Sequence, residues 1–129
     1  MNIVVLGGGR VGSAIVRDLT AVDDFSVTVA DVDPVAVDSL LEDGADGMCI
    51  DLSIPANVDR AIAGADLVVG AVPGFMGYRT VERVLEAGKP VVDISFFPED
   101  AFGLKEKAEK AGVPCLVDCG IAPDRKSVV

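Results

Sequence analysis

Apolar and polar positions along the chain follow two alternating rhythms. "NIVVLG" (2–7) is a continuous β-branched run, the pattern of a strand covered on both faces. Val11, Ala14, Ile15 and Leu19 then recur at helical spacing. "FSVTVAD" (25–31) predicts a second strand. Asp33 and Pro34 start the next helix, an acid at the cap and a proline in the first turn. Its core positions are Val37, Leu40 and Leu41, and Gly44 ends it. "GMCIDL" (47–52) predicts a short third strand. Ser53 and Pro55 open a helix that Gly64 closes. "ADLVVGAV" (65–72) is the fourth strand, and a helix over 77–87 carries Val81, Val84 and Leu85. "KPVVDIS" (89–95) is the fifth strand. A charged amphipathic helix over 99–111 leads into the sixth, "VPCLVD" (113–118).

Strict alternation of strand and helix implies a parallel sheet with helices on both faces. Two β-α-β-α-β halves make a doubly wound α/β domain, a Rossmann fold, with expected strand order 3-2-1-4-5-6. In such a sheet, ligands sit beyond the carboxyl ends of the strands, where the order reverses.

The first strand-to-helix turn, "GGGRVG" (7–12), stands at that place. Gly7, Gly9 and Gly12 fit G-x-G-x-x-G, a pattern that gains weight from following a strand and opening a helix. Gly7 permits the tight turn, Gly9 lets a pyrophosphate approach the backbone, and Gly12 lets the helix pack on the strand. The helix start, including Arg10 and Val11, offers N–H groups and partial positive charge to phosphate. Arg10 reads as a solvent-facing side chain near the pyrophosphate. The ligand-free reading is a bare glycine turn.

A dinucleotide site of this kind needs an acid about 20 residues on, at the end of the second strand. Asp31 ends "SVTVAD". Its carboxylate suits ribose hydroxyls and repels a 2′-phosphate, and neither Val32 nor Asp33 supplies a cation. NAD is therefore expected over NADP. The alternative role for Asp31 is to cap the loop before the helix at Asp33.

Other positions follow from the fold. Asp51 and Leu52 end the third strand, where they border the adenine, or Asp51 caps the following helix. Ala71, Val72 and Pro73 end the fourth strand and offer backbone and van der Waals contact to the cofactor, or form an ordinary turn. Asp93 and Ser95 end the fifth, facing a substrate or capping a turn. Tyr78, near a helix start beside the presumed cleft, reads as a packing residue, with a proton donor as the alternative. Cys115 and Cys119 read as buried thiols rather than a zinc site.

Composition narrows the function classes. The chain has 129 residues, half of them hydrophobic, enough for one domain with a core. A formal net charge of −10 without a basic cluster argues against nucleic acid and anionic membranes. No apolar run approaches a membrane span. The first strand begins at residue 2, so no signal peptide is expected, and the expected location is the cytoplasm. Histidine is absent, which removes histidine bases, histidine metal sites and Ser-His-Asp triads.

Through Pro123 the chain resembles the N-terminal cofactor domain of the saccharopine dehydrogenase-like family, which includes saccharopine reductases and lysine 6-dehydrogenases. The matching stretches are "VLGGGRVGSAIVRDL", "VTVADVD", "GADLVVGAVPGF", "VLEAGKPVVDIS" and "AEKAGVPCLVDCGIAP". Asp118, Gly120, Ala122 and Pro123 match a D-x-G-x-A-P-G segment that follows the sixth strand in that family. The resemblance implies a nicotinamide-dependent oxidoreductase acting on an amino acid C–N bond. Its partners would be the dinucleotide, a small amino-acid substrate in the full-length protein, and a second copy in a homodimer. Much of the substrate pocket would belong to a second domain that this chain lacks, so the fragment alone would bind cofactor without turnover.

The pattern breaks at Asp124, where the family has glycine. "DRKSVV" (124–129) matches one translated frame of a common sequencing adapter. The expected domain is therefore residues 1–123, with 124–129 a non-native tail. The competing class is a nucleotide-sensing regulatory module of the potassium-transport type, which shares the glycine loop and the strand-end aspartate. It does not explain the segment from Asp118 to Pro123.

Overall fold

The structure, a computed structural model, describes residues 1–95 and 97–117. The segment from Asp118 onward, with the D-x-G-x-A-P match, Cys119 and the "DRKSVV" tail, lies outside the described residues. Six strands alternate with five helices among the described residues: β1 (Asn2–Leu6), α1 (Arg10–Thr20), β2 (Ser26–Asp31), α2 (Pro34–Leu41), β3 (Asp46–Cys49), α3 (Pro55–Ile62), β4 (Leu67–Gly70), α4 (Gly74–Glu86), β5 (Val91–Asp93), α5 (Phe102–Ala111) and β6 (Cys115–Leu116). The sheet is parallel throughout, in the order β3-β2-β1-β4-β5-β6. The doubly wound α/β expectation holds.

Period-two alternation along β1 divides the core. Ile3 and Val5 face one side with Val16 of α1, Val27 and Val29 of β2, and Leu40 of α2. Val4 and Leu6 face the other with Val58 and Ile62 of α3, Val81, Val84 and Leu85 of α4, and Leu104 of α5. β1 is thus buried on both faces, which its unbroken apolar run requires. Its neighbours β2 and β4 belong to different halves of the fold, so the switch point lies at the carboxyl end of β1.

Several boundaries and faces differ from the sequence reading. In α1, Val16 and Gly12 are buried, while Val11 is 58% exposed. The helix turns its small Gly12 to the sheet, which rotates the expected stripe. Leu41 is exposed, leaving Val37 and Leu40 to anchor α2. β3 ends at Cys49: Ile50 makes the last bond to β2, at the Asp31 carbonyl, and Asp51 begins a turn. α4 starts at Gly74, earlier than expected, because extended Pro73 sets its first turn. α5 starts later, at Phe102, whose N–H donates to the Asp100 carboxylate. Among the described residues no helix is long and apolar enough to cross a membrane.

Candidate functional site

The turn after β1 is built by close backbone approach. Gly7 has φ 106°, a conformation that side chains disfavour. Its N–H donates to the Ala30 carbonyl at 2.8 Å, and the Ala71 N–H donates to the Leu6 carbonyl at 2.8 Å. The ends of β2, β1 and β4 are thereby laced together. Gly12 packs so tightly that a Cβ there would enter the Gly7 carbonyl oxygen. Gly9 differs. A Cβ there would meet nothing within 4 Å, so no protein atom requires glycine at that position. The space beside it is open.

That space belongs to a cleft of about 430 Å³ at the switch point, lined by the glycine loop, Asp31, the β4–α4 turn and the end of β5. Gly7, Gly9, Arg10, Val11, Gly12, Asp31, Ala71, Val72 and Pro73 all line it. Arg10 is exposed, in keeping with a solvent-facing side chain. Gly9 is the N-cap of α1, and no side chain caps that helix. The N–H groups of Arg10, Val11 and Gly12 have no carbonyl partner within the helix. Together with the partial positive charge of the helix start, they make a cradle for an anion. An open Gly9 above uncapped amides fits a pyrophosphate.

Asp31 takes the capping role foreseen for it while still lining the cleft. Its Oδ2 accepts the Gly8 N–H at 2.6 Å, and its Oδ1 accepts the Asp33 N–H at 2.8 Å. Asp33 in turn caps α2 by accepting the Val35 N–H. Each carboxylate oxygen has a further lone pair for a ribose hydroxyl. Gly8, the unassigned glycine of the loop, proves to be the residue that orients the acid. The lone signal for it in the sequence is its place in the middle of three consecutive glycines.

Asp51 and Leu52 lie elsewhere. Leu52 lines a concavity of about 210 Å³ between α3 and α4 with Phe75, Met76 and Arg79. Asp51 lines another with Cys49 and Arg60. The Asp51 Oδ1 accepts both the hydroxyl and the backbone N–H of Ser53, at 2.7 and 2.9 Å. These bonds hold its carboxyl below the usual carboxylate range, the hydroxyl contributing most. A depressed folded pKa stabilises the fold above the unfolded value, and that contribution is lost as pH falls through the folded value. Ser53→Ala is expected to return Asp51 toward its ordinary pKa, read from its carboxyl carbon in an NMR titration. An unchanged titration would mean that the hydroxyl is not the cause.

Three residues of the cleft escaped the site reading: Gly74, Ile94 and Ser95, the last noted only as a strand-end polar group. Tyr78 packs edge-on against Phe97, with ring centroids 5.5 Å apart. Cys115 is buried and Cys49 exposed. Among the described residues, no group of three or more acids and thiols could hold a metal.

A family model described as the saccharopine dehydrogenase NADP binding domain matches residues 3–116. The chain belongs to this family. It is one of its pyridine-nucleotide-binding domains. It is 25% identical over 123 residues to the saccharopine dehydrogenase [NADP(+), L-glutamate-forming] of Saccharomyces cerevisiae, covering 95% of this chain and 28% of the yeast protein. The solved apo structure of the yeast L-Glu-forming enzyme superposes with a TM-score of 0.83 at 25% identity, over 95% of this chain and 28% of that one. The WlbA dehydrogenase of Chromobacterium violaceum, solved with NADH and UDP-GlcNAcA, superposes with a TM-score of 0.72 at 24% identity, over 91% of this chain and 34% of that one. The last comparison shows a shared fold. This family domain thus spans little more than a quarter of the yeast enzyme it matches. The nucleotide-sensing alternative is not favoured by these matches. Nor do they support NAD over NADP, since the family description and the yeast relative both carry NADP.

Proposed function

We propose that this family domain is the cofactor half of an oxidoreductase that moves hydride between an amino acid C–N bond and a nicotinamide. The observation that carries the reading is the single cleft uniting the open glycine loop, the strand-end acid and the β4–α4 turn. When bound, the cofactor supplies the hydride chemistry, and the protein binds and orients it. Gly7, Gly9 and Gly12 shape the pyrophosphate cradle, with the α1 start at Arg10 and Val11 facing it. Asp31 takes the adenosine ribose. Ala71, Val72 and Pro73 line the path toward the nicotinamide. The yeast relative's name supports the amino-acid substrate class. A further domain would complete the substrate pocket.

NAD is the proposed cofactor on the chemistry of Asp31. A carboxylate at this position repels a 2′-phosphate by several kcal/mol at short range, about 4 kcal/mol at 4 Å for an effective dielectric near 20. Exposed Val32 beside it brings no compensating cation. Titration of the chain with NADH and NADPH is expected to show NADH binding more than tenfold tighter. Asp31→Ala should weaken NADH and narrow the gap. Equal or tighter NADPH binding by the parent chain would overturn the preference, while binding of either nucleotide would leave the dinucleotide reading intact.

A further inference from the structure

At the end of β5, a serine and a buried carboxylate form a tight pair facing the cleft. Asp93 is fully buried, and its Oδ2 accepts the Ser95 backbone N–H at 3.1 Å. The same oxygen lies 2.6 Å from Ser95 Oγ. Ionised, Asp93 has no proton to give, so the Ser95 hydroxyl is the donor toward it. The Ser95 proton is therefore committed to Asp93, and Oγ keeps only lone pairs for anything else. Two glycines enforce the arrangement. A Cβ on Gly70 would enter the Asp93 carboxylate, and one on Gly77 would enter Ser95 Oγ. Both neighbours of the pair are thus stripped of side chains to hold it.

Ser95 lines the same cleft as the glycine loop and Asp31. The cleft runs across β2, β1, β4 and β5. With neighbouring strands about 4.8 Å apart, the ends of β2 and β5 are separated by about 14 Å. If Asp31 takes the adenosine ribose, the β5 end lies toward the opposite base of an extended dinucleotide. A group there that only accepts hydrogen bonds selects a ligand that donates one.

We propose that Ser95, its hydroxyl proton held by Asp93, accepts an N–H from the nicotinamide carboxamide and so fixes that end of the cofactor. The proposal rests on the dinucleotide reading of the cleft. The test uses three probes on the full chain and on Ser95→Ala: NADH, its 3-acetylpyridine counterpart, whose methyl ketone lacks the N–H donor, and ADP-ribose, which lacks the base. The parent is expected to bind NADH about fivefold tighter than the acetylpyridine analogue, the worth of one neutral hydrogen bond. Ser95→Ala should bind the two alike, with ADP-ribose affinity unchanged. Discrimination in the parent needs no variant and holds even if Ser95→Ala folds poorly. A parent that does not discriminate, or a variant that still does, overturns the proposal. If the parent binds neither NADH nor ADP-ribose, the dinucleotide reading fails first and takes this proposal with it.

Discussion

Gly9→Ser is expected to leave the fold as stable as before, or slightly more so, while NADH affinity falls about ten- to a hundredfold. The two effects separate because Gly9 serves no protein contact. Its backbone is extended, with φ −71° and ψ −161°, a conformation open to any residue. A Cβ there meets no protein atom within 4 Å. Serine at the N-cap accepts an N–H from the first turn, which favours the helix over an uncapped start. The new side chain nevertheless occupies the space proposed for the pyrophosphate and competes for the same amides. A steric penalty of roughly 1–3 kcal/mol corresponds to a loss of affinity of about that size. Urea unfolding and NADH titration of one preparation decide the matter. If binding survives unchanged, the pyrophosphate does not lie over Gly9.

Gly7→Ala is expected to do the opposite and act first on the fold. Its φ of 106° strains any side chain. A Cβ would also stand 2.5 Å from the Ala71 carbonyl oxygen and 2.7 Å from its carbon. Both are backbone atoms, so relief requires β1 and β4 to part at their carboxyl ends. Strain and overpacking each contribute about 1–3 kcal/mol, giving roughly 2–5 kcal/mol together. That is a large share of the stability of a domain of this size. The urea midpoint should fall accordingly, with nucleotide binding lost as a consequence. A loss below about 1 kcal/mol would show that the turn relaxes more freely than its contacts indicate.

The architecture was legible because the central strand buries both faces and most helices are followed by glycine. β1 announces itself in "NIVVL", and the alternation of strand and helix leaves little choice of topology. Faces within α1 were less legible. Helical spacing alone selects Val11 as readily as Val16, and the decision belongs to Gly12, whose missing side chain brings that face onto the sheet. In the site, the glycine loop and Asp31 could be read because their spacing has a mechanical reason. The Ser95–Asp93 pair was only glimpsed. Its signal is an acid two residues before a serine at a strand end, a pattern repeated by Asp51 and Ser53. One pair faces the cleft and the other serves a turn, and only tertiary placement separates them. Asp51 and Leu52 show the same limit, since the chain turns them into concavities of their own.

The carboxylate of Asp31 is tied to two backbone amides, one in the glycine loop and one at the start of α2. Under the proposed ribose role, its identity answers to two demands at once, the loop's and the cofactor's. A lineage changing its nucleotide preference would gain room for an extra phosphate by discarding this acid. The same step would strand the buried Gly8 amide, at a penalty of about 1–3 kcal/mol. A small polar residue able to accept that N–H, or a prior change that stabilises the loop, has to come first or together with it. Under the proposed ribose role, cofactor exchange in this chain takes two steps, because the loop loses an acceptor when the acid is removed.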